Sequence, residues 1–124
     1  MAPFTDDELA GSPPKSLVVA FILLQLVEEP MHGYELMQRL TQCGLEHLDQ
    51  GNLYRMLRQM EKDQLVVSSW DTSAAGPAKR LYELTEEGKK SLKRHAVQME
   101  RYQSLIQQFF NRYASMLNRV MPTR

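Results

Sequence analysis

Apolar positions crowd one part of the chain and then settle into repeating patterns. Leu17 to Val27, "LVVAFILLQLV", is apolar nearly all round. A helix of that kind is buried on more than one side, and the spacing predicts it over Ser16 to Glu29. Pro30 ends it, because the residue before a proline disfavours helical backbone. Gly33 to Gln42 follows as a second helix, with Leu36, Met37 and Leu40 on one face. After the connector "CGLEHLD", Asp49 is the expected N-cap of a third helix reaching about Gln64. Leu53, Met56, Leu57 and Met60 form its inward face. Leu65 to Trp70 is rich in β formers, "DTSAAGPA" reads as a turn, and Arg80 to Leu84 returns, predicting a hairpin with Tyr82 and Leu84 facing inward. Thr85 then caps a long last helix, with Glu86 and Glu87 where the helix dipole favours anions.

That last helix carries a seven-residue repeat. Leu92, Met99, Ile106, Tyr113 and Val120 hold one position, and His95, Tyr102, Phe109 and Met116 the position three further on. Leu105, Phe110 and Leu117 widen the stripe. A helix of ~30 residues extends about 45 Å, so a small body cannot cover all of it. The expectation is a two-fold homodimer with Leu92, Met99, Tyr102, Ile106, Phe109, Phe110, Tyr113 and Met116 at its interface, helped by the first helix.

The chain of 124 residues suits one small domain. A single cysteine, Cys43, excludes an intrachain disulfide and fits a reducing compartment. The acidic start "MAPFTDDELAG" lacks the basic region of a signal peptide. The longest apolar run falls short of the ~20 residues that cross a bilayer. A soluble cytoplasmic protein with no membrane partner is expected.

Charge changes this picture. The net charge is zero, yet residues 1–49 hold two cations against eight anions, and residues 50–124 hold thirteen against seven. Such asymmetry suggests one basic working face. Opposite the apolar face of the third helix lie Gly51, Arg55, Arg58 and Lys62, flanked by Tyr54 and by Asn52 and Gln59. Arg and Lys neutralise phosphates, Arg can grip guanine edges, and Asn can pair with adenine. Gly51 allows close approach of a phosphate to the helix start. A solvated helix face would look the same, but the short helix and tight connector ahead of it are those of a helix-turn-helix, which presents its second helix this way. Lys79 and Arg80, at the base of the hairpin, then become wing contacts to backbone or minor groove.

These readings converge on a mainly α fold with a small β-hairpin: a winged helix-turn-helix plus a long C-terminal dimerisation helix. Residues 1–15, with three of the six prolines, form an extended N-terminal arm; 16–85 the winged-helix DNA-binding domain; 86–124 the dimerisation helix. The function expected is sequence-specific binding of double-stranded DNA. The alternative is a dimeric adaptor that turns the same basic face to an acidic protein. The three histidines are scattered without ligand spacing, so neither a metal nor a cofactor is expected. No nucleophile–base pair, paired carboxylates or phosphate-binding glycine loop suggests an enzyme.

Three segments resemble the PadR family of bacterial winged-helix regulators: "LVEEPMHGYELMQRL" from Leu26, "GNLYRMLRQMEKDQLV" from Gly51 and "GPAKRLYELTEEGKKSL" from Gly76. They come in the family's order and spacing over roughly residues 16–95. The family's His-Gly-Tyr-Glu-Leu stands here as His32 to Leu36, and its Leu-Tyr as Leu53 and Tyr54. The resemblance implies a homodimeric factor, usually a repressor, with Asn52, Tyr54, Arg55 and Arg58 as helix contacts and Lys79 and Arg80 as wing contacts. It also implies that Tyr102, Phe109, Phe110 and Tyr113, with Trp70, are candidates to line a site for a small flat aromatic effector between protomers. Asn52 and Arg55 replace the family's common Thr and Pro, so a different operator preference is expected. The chain ends soon after the dimer helix, as in the family's shorter members.

Overall fold

The computed structural model describes residues 13–73 and 75–120. Most of the expected arm therefore lies outside the described residues, as do the last four residues assigned to the dimerisation helix. Four helices surround a three-stranded antiparallel sheet: α1 (Lys15–Glu28), β1 (Met31–His32), α2 (Gly33–Gln42), α3 (Gln50–Lys62), β2 (Val66–Asp71), β3 (Lys79–Leu84) and α4 (Glu86–Val120). Helix and strand bounds fall within one or two residues of those predicted.

The expected hairpin is present as β2 and β3. The sheet adds a strand to it: β3 is central, with β2 on one side and β1 on the other. Met31 lies opposite Tyr82 and His32 opposite Leu81. Two residues carry no periodic signal, and their partner lies about fifty positions away, so β1 has no local signature.

The core forms where the elements' apolar faces meet. Ile22, Leu23 and Leu26 of α1, Leu36 and Leu40 of α2, and Leu53, Leu57 and Met60 of α3 pack with Met31, Val66, Tyr82 and Leu84. In β3 the alternation holds: Tyr82 and Leu84 are buried while Glu83 is exposed.

Two turns set the angles between elements. After α2, Gly44 adopts φ 108°. Its N–H donates to the Thr41 carbonyl at 3.0 Å, and the Leu45 N–H donates to the Leu40 carbonyl at 3.1 Å. This Schellman closure stops the helix and drops Leu45 into the core, turning the chain toward α3. The same closure follows α3, with the Leu65 N–H on the Met60 carbonyl at 2.9 Å. There the left-handed position is held by Gln64, at φ 63°.

Thr85 joins the wing to α4. Its Oγ1 accepts from the Gly88 N–H at 2.9 Å, as an N-cap does, and donates to the Gln64 carbonyl at 2.6 Å. Gly88 sits so close to β2 that a Cβ there would lie 2.2 Å from the Leu65 carbonyl oxygen. Beyond this joint α1 packs along α4.

Candidate nucleic-acid interface

The apolar side of α3 is clamped in the core, so its other side must face outward. Gly51, Asn52, Arg55, Arg58, Gln59 and Lys62 are all exposed, and Tyr54 is partly so. Asp49 caps the helix as expected: its Oδ1 accepts from the Asn52 N–H at 2.7 Å. Its Oδ2 accepts from Asn52 Nδ2 at 3.0 Å, and Asn52 Oδ1 accepts from Arg55 Nη2. Asp49, Asn52 and Arg55 thus form one chain of hydrogen bonds along the first turns of the helix.

The cations of α3 and β3 stand outside the ion pairs among the described residues. Those pairs join His32 to Asp71, Arg39 to Glu29, Lys89 to Glu86 and Lys90 to Glu87. None involves Arg55, Arg58, Lys62, Lys79 or Arg80. A face kept merely soluble commonly carries compensating acids one turn apart. Here the five cations keep their charge available to a polyanion.

The fold brings Tyr54 together with the wing. Tyr54 of α3 and Lys79, Arg80 and Tyr82 of β3 line one shallow cleft of about 230 Å³, with His32, Gly33 and Tyr34 from the start of α2. Lys79 Nζ lies 4.9 Å from the centre of the Tyr34 ring, a cation–π distance. Tyr34 in turn lies parallel to His32, ring centres 5.9 Å apart. His32 Nε2 bonds Asp71 Oδ2 at 2.8 Å. Asp71 and Lys79 form the last pair before the hairpin's loop, so His32 and Tyr34 together hold both strands of the wing where the loop begins.

The charged groups of the wing are held by specific partners. Asp71 Oδ1 accepts from Ser73 Oγ at 2.6 Å and from the Ser73 N–H at 3.0 Å. These bonds, and then His32, lower the Asp71 pKa from 3.8 to about 2. Burial raises the Tyr82 phenol above its ordinary value, keeping it neutral. Arg80 Nη1 donates to Ser68 Oγ at 2.8 Å, and Ser68 Oγ donates to Glu61 Oε2 at 2.8 Å. The Arg80 guanidinium lies 4.7 Å from the Trp70 ring centre. Trp70 therefore stands at the wing beneath Arg80 rather than beside the aromatic residues of α4 with which it was grouped.

Sequence reasoning missed Tyr34, Ser68 and Lys15. Lys15 and His47 face Asn52, Arg55 and Gln59 across an open cleft of about 480 Å³. Tyr34 and Ser68 act through partners distant in sequence, and Lys15 looked like a residue of the arm. His32 is the N-cap residue of α2, and its ring supports the wing.

The residues expected at a dimer interface divide in two. Leu92 packs against the chain's own core, and Met99 is partly covered. Tyr102, Ile106, Phe109, Phe110, Tyr113 and Met116 are exposed, with Phe109 61% and Phe110 56% accessible. Phe109 meets Phe110 edge-on at 5.3 Å and lies parallel to Tyr113 at 6.1 Å. Two apolar grooves, about 550 and 450 Å³, run between α1 and α4 on either side of Met99.

Comparison with known proteins identifies the fold. The chain is similar to a solved conserved protein of unknown function, a potential transcriptional factor, at 30% identity and TM-score 0.73, over 87% of this chain and 98% of that one. A PadR family transcription regulator from Clostridium difficile R20291 matches at 26% identity and TM-score 0.68, over 75% and 97%. A PadR-like regulator from Bacillus cereus shares the fold at 24% identity and TM-score 0.70, over 77% and 93%. Comparison with curated proteins gives no match. The model of the transcriptional regulator PadR-like family matches residues 22–94, well over half of the chain. With the winged helix described above, this makes the chain a member of the PadR-like family of transcriptional regulators.

Proposed function

We propose that the protein is a sequence-specific DNA-binding repressor acting in the cytoplasm as a homodimer. In each protomer α3 enters the major groove, and the hairpin lies on the adjacent backbone or minor groove. The observation that carries this reading is the set of five cations on α3 and β3 that take part in none of the ion pairs among the described residues. The cleft shared by Tyr54, Lys79 and Arg80 supports it, because it makes reader helix and wing adjoining parts of one surface. Gly51, Asn52, Tyr54, Arg55, Arg58 and Lys62 are the helix contacts, and Lys79 and Arg80 the wing contacts.

The α4 stripe supports the homodimer. Leu105, Ile106, Phe109, Phe110 and Tyr113 form a contiguous exposed apolar surface, which monomers rarely leave uncovered. A two-fold partner laid on it and in the grooves beside Met99 covers this surface and supplies a second reader for a second half-site. Tyr102, Phe109, Phe110 and Tyr113 then become the walls of a seat for a small aromatic effector.

The test is binding to the protein's own upstream DNA and to a scrambled duplex across a salt series. Tight binding to the native duplex is expected, falling steeply with salt. Lys79→Ala should weaken all duplexes alike and reduce the slope of log affinity against log salt by about 0.9, the loss of one phosphate contact. Weak, equal binding to every duplex, including a random pool, would favour the adaptor that meets an acidic protein.

A further inference from the structure

Arg55 lies in the N-terminal half of α3, the part of a reader helix that reaches base edges. Its partner Asn52 is held on both sides. Asn52 Nδ2 donates to Asp49 Oδ2 and its N–H donates to Asp49 Oδ1, while its Oδ1 accepts from Arg55. Turning the amide over would set its carbonyl against a carboxylate and its NH2 against a guanidinium. Chemistry therefore fixes the orientation of the amide.

We propose that Arg55 reads a guanine in the major groove, and that Asn52 is a positioning residue that aims it rather than a reader of adenine. The proposal rests on the DNA-binding reading above and names the base that this part of the helix selects. A guanidinium has five N–H donors in a fixed fork. Asn52 takes one, leaving a pair of parallel donors for guanine O6 and N7. A free Arg side chain loses much rotamer freedom when it binds, and one already tethered loses less. The Arg55 side chain folds back over the start of the helix: its Nη1 lies 3.9 Å from where a Cβ at Gly51 would stand, an ordinary contact distance. Asn52 keeps one side-chain N–H and one lone pair free, but its bonds to Asp49 and Arg55 fix the plane of the amide, so it cannot turn to follow an adenine edge without giving them up.

Selection from a random duplex pool tests this, using the full-length protein and its Arg55→Lys, Arg55→Ala and Asn52→Ala variants. Both positions are exposed, and matching melting curves establish that the variants fold. The wild type should enrich guanine at one fixed place per half-site, by about tenfold or more over other bases. Arg55→Lys keeps the charge but has no fork, so it should retain general DNA affinity and lose the guanine. Arg55→Ala should lose both. Asn52→Ala should keep guanine at the same place with discrimination reduced several-fold. Guanine kept undiminished by Arg55→Lys, or an adenine preference lost in Asn52→Ala with the guanine unchanged, would overturn the proposal. A wild type that enriches no sequence would refute the DNA-binding reading itself, and the guanine assignment with it.

Discussion

Gly33 and Tyr54 share a space that holds only one of them with a side chain. A Cβ on Gly33 would lie 2.7 Å from the Tyr54 ring and 2.8 Å from its hydroxyl. The start of α2 and the flank of the reader helix are therefore fitted to one another. Gly33→Ala should push the ring out of the cleft it shares with Lys79 and Arg80, at a cost of about 1–3 kcal/mol. Since the clash involves the far end of a side chain, Tyr54→Ala should remove most of that cost. A double-mutant cycle read by denaturant unfolding checks this, and additive losses would mean that the strain lies elsewhere.

Gln64 offers the opposite case. It occupies a left-handed backbone position that glycine adopts without penalty, at the turn between α3 and β2. The Gln64 carbonyl that accepts from Thr85 belongs to the backbone, so the substitution retains it. Gln64→Gly should therefore stabilise the fold by about 1 kcal/mol, the left-handed penalty less the entropy cost of glycine. Thermal unfolding should show a raised midpoint with DNA affinity unchanged.

Asp71 should make the wing acid-sensitive. Its folded pKa lies near 2, below the 3.8 of the free group, so its contribution is complete above about pH 4 and fades as pH falls through 2. Asp71→Asn removes the charged acceptor of Ser73 and His32. The variant should therefore be less stable than wild type at neutral pH, and the two should converge between pH 4 and 2. Melting curves across that range measure the difference.

Phe109 stands at the centre of the exposed α4 stripe, with Phe110 and Tyr113 against it. Phe109→Ala should dissociate the proposed dimer and leave the protomer folded, because the core of the protomer gains nothing from this side chain. Analytical ultracentrifugation decides the matter. A variant that stays dimeric would move the seam to another face of α4.

The fold was legible wherever a pattern repeats locally. The apolar run before Pro30, the periodic faces of α2 and α3, and the alternation of Tyr82 and Leu84 all sit where spacing places them. Contacts between distant residues were not legible. β1 exists because β3 offers an open edge, and the pairing of Tyr34 with Lys79 depends on that strand being in place. The resemblance groups Trp70 with the aromatic residues of α4 as a candidate effector wall, whereas within the protomer the hairpin register sets it opposite Arg80. The link from Asp49 through Asn52 to Arg55 spans neighbouring turns of one helix, so its spacing was visible. Which groups bond was not, because side-chain rotamers choose the partners.

The joint at Thr85 and Gly88 has a mechanical consequence. α4 has 35 residues and is about 52 Å long, and its first turn is fastened to the turn between α3 and β2 by the Thr85 hydroxyl and by the close approach of Gly88 to Leu65. It is a lever with its fulcrum at the foot of the wing. Five degrees of rotation there carries the far tip about 4–5 Å. In the proposed dimer the same angle would set how far apart the two wings stand along a duplex.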